Sequence, residues 1–258
     1  MNQVSRQELG HWLDTTLQVQ RFRDYCPNGL QVEGKAMIAH IIAGVTASEA
    51  LIRAAIAKKA DAILVHHGWF WKNEDPCIRG PKRARLALAL QYELNLWAYH
   101  LPLDAHPVLG NNAQLARVLG FEPERNEAGE PLTCGPDGLV WLGRPTRANT
   151  LGKLGNEICI ALQRTPLIVG NPQQTIDRVA WCTGGAQSLI EEASAAGAQV
   201  YITGEASEQT FHWAQETGMG FIAAGHHATE RYGIQALGAA VAAQFGVHVE
   251  FIDLNNPI

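Results

Sequence analysis

The chain has 258 residues, 47% hydrophobic and 17% charged, enough for one large or two small domains with a sizeable core, which excludes global disorder. Its 20 Lys and Arg against 25 Asp and Glu give a formal net charge of -5. That balance excludes a general nucleic-acid binder, because phosphate neutralisation needs a basic surface, and the densest basic stretch, Arg79 to Arg85, is short.

Hydrophobic periodicity alternates between helix and strand. Gln7 to Val19 reads as a helix, Asp24 to Gly29 as turn chemistry and Ile38 to Val45 as a strand. Thr46 with Glu49 has the spacing of a capping box opening the next helix. Ala62 to Val65 is a continuous apolar strand of the buried type. A helix over Lys82 to Tyr92, a strand over Leu94 to Ala98 and a helix from Asn111 follow. Phe121 to Pro136 is rich in Glu, Pro, Gly and Asn and reads as a linker. Beyond it, Leu139 to Leu142 is a strand, and Leu151, Leu154, Ile158 and Leu162 form one helical stripe. Strands follow at Leu167 to Val169, Val179 to Cys182, Gln199 to Thr203 and Phe221 to Ala224. His227 to Phe245 is the last helix and Val247 to Ile252 the last strand. The alternation predicts an α/β fold with mostly parallel sheets.

Val45 to Val65 can be laid on Thr183 to Thr203 without a gap: Leu51 and Ile52 fall on Leu189 and Ile190, and Ala55, Ala57 and Ala60 on Ala193, Ala195 and Ala198. This weak internal repeat predicts two similar α/β lobes, drawn at residues 1–125 and 126–258, with the last helix and strand from about 227 free to pack back on the first. A site is then expected at strand C-terminal ends between the lobes.

Three polar clusters follow predicted strands. His66 and His67 end the apolar run Ile63 to Val65. Consecutive strand residues face opposite ways, so the pair cannot serve one ion while the chain stays extended; alone it fits a capping or core role equally well. His100, Asp104 and His106 follow the next strand, with Pro102 expected to end regular structure and Asp104 open to a turn or capping role. His226 and Glu230 are four apart, so one helical turn puts both on one face, although a Glu there also suits an ordinary helix N-terminus. Together the clusters offer imidazoles and carboxylates without thiolate, a set suited to Zn, Fe, Mn or Co rather than Ca or Mg. Five donors exceed one open zinc site, and a bridging carboxylate would allow two ions about 3.5–4 Å apart. Glu205, ending the strand at Thr203-Gly204, falls opposite the His pair in the repeat and reads as an outer partner or a general base, or equally as an N-cap neighbour of the helix through Gln209. The five cysteines, Cys26, Cys77, Cys134, Cys159 and Cys182, form no C-x-x-C pair. A reduced, intracellular protein is expected, and the polar N-terminus with no membrane-length apolar run points to the cytoplasm and to no membrane partner. No dinucleotide, P-loop or nucleophile-elbow motif occurs.

The His66-His67-Gly68 strand end, the Pro102-Leu103-Asp104-Ala105-His106 loop and the Gly225-His226-His227-Ala228-Thr229-Glu230 ending resemble the GTP cyclohydrolase 1 type 2 homologue family, also called Ngg-interacting-factor-three-like. Asp24 to Gly34, Gly44 to Ser48 and Ala180 to Gly185 support the resemblance, which spans nearly the whole chain and is loose only from about Phe121 to Pro172. It implies interlinked lobes, a homohexameric toroid and two divalent metal ions per subunit. The implied ligands are His66, His67, Asp104, His226 and Glu230, with Glu230 or Asp104 able to bridge. His100 is a neighbour rather than a matched ligand, and His227 stands where other members often carry an aromatic residue. The family label implies opening of a purine or pterin-like ring by metal-activated water, with Glu205, His100 or His227 moving protons. Zn, Fe or Mn would be the metal. The readings from other classes are a non-catalytic metal-binding protein that buffers, delivers or protects metal, and a ring-shaped interaction scaffold.

Overall fold

In the computed structural model, which describes residues 2–258, strands and helices are interspersed along the chain. Through Gly110 the order is β1 (Val4–Ser5), α1 (Arg6–Thr16), β2 (Gly29–Val32), β3 (Met37–Ile38), β4 (His40–Thr46), α2 (Glu49–Ala57), β5 (Ala62–His67), α3 (Gly80–Gln91), β6 (Asn95–Ala98) and the short α4 (Leu101–Ala105). It continues with α5 (Asn111–Leu119), β7 (Phe121–Pro123), β8 (Thr133–Cys134), β9 (Val140–Pro145), α6 (Leu151–Leu162) and β10 (Leu167–Val169). Then come β11 (Val179–Trp181), α7 (Ile190–Ala195), β12 (Val200–Thr203), α8 (Glu208–Thr217), β13 (Gly220–Ala223), α9 (His226–Phe245) and β14 (His248–Phe251). The chain divides into two units: one runs through Gly110 and includes Ile234–Asn255, the other holds Asn111–Gly233 and Asn256–Ile258.

The first unit is built on a sheet of order β14, β4, β5, β6, β2. Its first four strands are parallel and β2 is antiparallel to β6. Strand alternation sorts its side chains into two cores. Ile41, Ala43, Leu64 and Trp97 pack with Leu9 and Leu13 of α1 and with Ile234, Leu237 and Val241 of α9. Ile42, Ile63, Val65 and Leu96 pack with Leu51, Ile52 and Ala55 of α2 and Ala89 of α3. A sheet covered on both faces needs apolar residues at every position, which is why Ala62 to Val65 reads as an unbroken run.

The second unit repeats the plan. Its sheet runs β10, β13, β12, β11, β9, β7, with β8 on β9. Here β11, β12 and β13 are parallel, and antiparallel strands extend the triplet on both sides. Trp181, Val200, Ile202 and Ile222 pack with α5 and with the Leu151, Leu154, Ile158 and Leu162 stripe of α6. Ala180, Tyr201 and Phe221 face Ile190, Ala193 and Ala214 of α7 and α8. The internal repeat is therefore a repeat of topology. Ile41 pairs with Ala62 and Val179 with Val200, a separation of 21 residues in both.

Three sequence expectations change. Thr46 does not open α2: it is still in the sheet, opposite His67, and the N-cap is Ser48, whose hydroxyl accepts from the Leu51 N–H at 3.3 Å. The stretch read as a linker is a hairpin. Asn126 Oδ1 accepts from the N–H groups of Ala128 and Glu130 to close its turn, and β7 and β8 both pair with β9. Pro102 does not end regular structure but stands in the first turn of α4, where its missing N–H costs nothing. Among the described residues no helix is long and apolar enough to cross a membrane, and all five cysteines are free thiols.

The cap assignment has a direct test in urea unfolding. Ser48→Ala is expected to lower stability by about 1 kcal/mol. Thr46→Ala, at an exposed position outside the helix, is expected to change it by less than about 0.5 kcal/mol.

Candidate metal centre

In the first unit, β5 ends on His66 and His67. His66 is wholly buried, and its Nδ1 lies 2.9 Å from the Tyr99 carbonyl oxygen. A carbonyl only accepts, so Nδ1 donates its proton to it. His67 places Nδ1 3.2 Å from Thr46 Oγ1. Strand alternation predicts opposed rings, yet they lie 4.5 Å apart. The strand ends at these residues. Gly68 follows, so tightly placed that a Cβ would collide with the Gln31 side chain and the Ala98 Cβ.

His100 joins the pair from the residue preceding α4. Its ring lies 5.1 Å from His66 and 5.8 Å from His67, and one ligand nitrogen from each of the three falls within 4.8 Å of the others. His100 Nδ1 is 2.8 Å from Asp24 Oδ1. The Leu101 N–H and the Asn28 side-chain amide donate to Asp24 Oδ2, and Asn28 Oδ1 accepts the His100 N–H. Burial alone would raise the Asp24 pKa. The hydrogen bonds from His100, Asn28 and Leu101 and the charge of His100 outweigh it and hold the carboxyl at about 2. Asp104, buried on α4, brings Oδ1 to 3.5 Å from His66 Nε2. The fold therefore gathers His66, His67, Asp104 and His100 in one place, with His100 in closer company than its neighbour status implied.

In the second unit, β13 leads through Gly225 into His226 and α9. His226 Nδ1 lies 2.6 Å from Glu205 Oε1, and its Nε2 lies 3.1 Å from Glu230 Oε2. Burial disfavours the charged ring, but the hydrogen bonds and charges of Glu230 and Glu205 prevail and raise His226 to about 9. Glu230 is buried and fits because position 184 is glycine. Gly184 has φ +71° and its Cβ would run into Glu230 Oε1. The Gly184 N–H donates to Thr229 Oγ1 at 3.0 Å. Glu205 thus sits as an outer partner of His226. His227 donates its backbone N–H to the Ile258 carbonyl.

Sequence reasoning missed three supports: Thr46, the Tyr99 carbonyl and Asp24. Asp24 was legible only as a turn residue, because its tie to His100 spans 76 positions.

The sequence profile of Duf34/NIF3 (NGG1p interacting factor 3) matches residues 4–257. The chain belongs to this family. Duf34/NIF3 relatives include a Pseudomonas aeruginosa protein named GTP cyclohydrolase 1 type 2 homolog, 52% identical over 95% of both chains. A Neisseria meningitidis serogroup B protein of the same name is 51% identical over 95% of this chain and 96% of its own. Among solved structures, protein ybgI, described as of unknown function, is 47% identical with a TM-score of 0.92 over 99% of this chain and 100% of its own. TTHA1606 from Thermus thermophilus is 34% identical with a TM-score of 0.84 over the same shares. These agree with the family resemblance read from the three motifs.

Because the Asp24 pKa is depressed, its stabilising contribution is complete above about pH 4 and is lost as pH falls toward 2. Asp24→Asn is expected to lose about 1–2 kcal/mol at pH 7 and to flatten the acid limb between pH 4 and 2. Urea unfolding across that window checks it; an unchanged acid limb contradicts the assignment.

Proposed function

We propose that this Duf34/NIF3 chain is a hydrolase of a small molecule that works with two divalent cations, Zn, Fe or Mn by donor type, held by His66, His67, Asp104, His226 and Glu230. One observation carries the reading. In each unit the imidazoles at a strand end give Nδ1 to an outer partner, Tyr99, Thr46 or Asp24 in one and Glu205 in the other. That leaves Nε2 as the ligand atom, which is how proteins hold metal-bound histidines. The donor chemistry fits a cation: imidazoles and the two buried carboxylates Asp104 and Glu230, which need positive charge beside them.

Bound there, the cation pair would supply Lewis acidity and lower the pKa of a water molecule toward neutrality. The chain's own residues do the rest. Glu205 fixes the His226 ring through Nδ1. His100, held by an ionised Asp24, is oriented to take up and release a proton at Nε2, the arrangement of a base fixed by a carboxylate. The relatives' name supports a purine or pterin-like ring as substrate, opened by water at an electron-poor carbon. The family resemblance carries a homohexameric ring with this reading.

Elemental analysis of protein purified without added metal is expected to find no fewer than about two equivalents per chain, lowered in Asp104→Ala and Glu230→Ala. A screen of purine and pterin-like compounds with the metal-loaded form is expected to find turnover that falls at least about 100-fold in His100→Ala, with metal content kept. Metal transfer to a recipient protein without turnover would establish the buffering or delivery reading instead. Light scattering is expected to give six times the chain mass.

A further inference from the structure

We propose that His40, His248 and Glu250 form a separate cation site that clips β14 to β4 with one divalent ion of the zinc class. The inference does not rest on the hydrolase reading. β14 and β4 are parallel, and His248 lies directly opposite His40 in their register. The two rings are 4.6 Å apart and tilted by 41°. Glu250 follows His248 by two residues, so strand alternation puts it on the same face. One ligand atom from each of the three lies within 4.8 Å of the other two. His40 and His248 begin their strands, whereas His66 and His67 end theirs. The seven-residue β4 separates these two ends by about 20 Å.

A second observation points to a ligand. His40 Nε2 is screened from solvent and makes no well-formed hydrogen bond among the described residues, the Lys58 backbone being the one main-chain group that acts on the ring, and a poorly satisfied shielded ring nitrogen is costly. A cation held with His248 and Glu250 would satisfy it. Two imidazoles and a carboxylate are a zinc-type donor set, with a fourth position open to water. The groups around it are compatible. Asp61 accepts the Ala39 and His40 N–H groups and adds negative charge nearby. Lys58 Nζ lies 2.8 Å from Glu250 Oε1, an exposed pair of the kind that contributes little and exchanges readily. An ion here would join residues more than two hundred positions apart, the long closure for which a clip restrains the unfolded chain most.

The test uses the whole chain, stripped with a chelator and titrated with Zn²⁺ by calorimetry. Wild type is expected to take up one zinc equivalent more than His248→Ala, and Glu250→Gln to weaken that uptake tenfold or more, with unchanged circular dichroism. Equal stoichiometry and affinity in wild type and His248→Ala overturns the proposal. A second measurement needs no substitution. Diethyl pyrocarbonate is expected to modify the exposed His248 in the stripped protein, and Zn²⁺ to protect it; a rate unchanged by zinc also overturns the proposal. Asp104→Ala separates the two ideas, because it is expected to keep the His248-dependent equivalent whatever happens to the other ions.

Discussion

The arrangement on which the rest depends is the fixing of imidazole rings from behind. A free histidine side chain rotates and exchanges its ring proton between two nitrogens. A carbonyl oxygen 2.9 Å from His66 Nδ1 removes both freedoms, because it accepts only from N–H. The parallel strand end is where such acceptors are found. β6 stops at Ala98, opposite Val65, while β5 runs on to His67, so the carbonyl of Tyr99, one residue beyond β6, reaches the His66 ring. Thr46, the last residue of the neighbouring β4, reaches His67 in the same way. The sheet order thus determines the ring orientations, and the cores on both faces of the sheet hold that order rigid.

The topological repeat explains why the two units contribute different donors. With Val45 laid on Thr183, Gly204 takes the position of His66 and Glu205 that of His67. A side chain at 204 is excluded because a Cβ there would strike the backbone of His226. The next residue then supports rather than ligates: Glu205 reaches the His226 ring. In the first unit the imidazoles come from the strand itself. In the second, the imidazole comes from the helix that follows the sheet, and the strand end supplies its carboxylate support. One α/β frame with one register therefore carries two different sets of groups.

Much of this was legible because burial leaves a strong mark. The Leu151, Leu154, Ile158 and Leu162 stripe is α6 with each of the four buried, and the run before His66 is a strand covered on both faces. The choice between Thr46 and Ser48 as cap was not legible, since it depends on whether β4 has already left the sheet, and that is set by its pairing with His67. The Phe121 to Pro136 hairpin hid because its strands are two and three residues long and the turn composition between them is also that of a linker. The His66 and His67 rings lie 4.5 Å apart although both residues belong to β5, a closeness that the alternation rule alone does not predict. Contacts across long separations, Asp24 with His100 and His40 with His248, leave no periodic signal at all.

The two ends of the first sheet, the proposed metal centre and the proposed clip, differ in how their rings are held. Both ends carry a histidine pair. At the C-terminal end, Tyr99, Thr46 and Asp24 each engage a ring nitrogen, and the Asp24 carboxylate is itself held by Leu101 and Asn28. Orientation is therefore enforced twice, which matters where a lone pair must be aimed and a proton moved. At the N-terminal end, register alone brings His40 and His248 together, with Glu250 shared with an exposed lysine. That suffices to hold an ion between two strands, where the requirement is proximity rather than aim. The difference follows from connectivity: β2 is antiparallel to β6 and starts opposite Ala98, so the segment entering it brings Asp24 to the His100 ring.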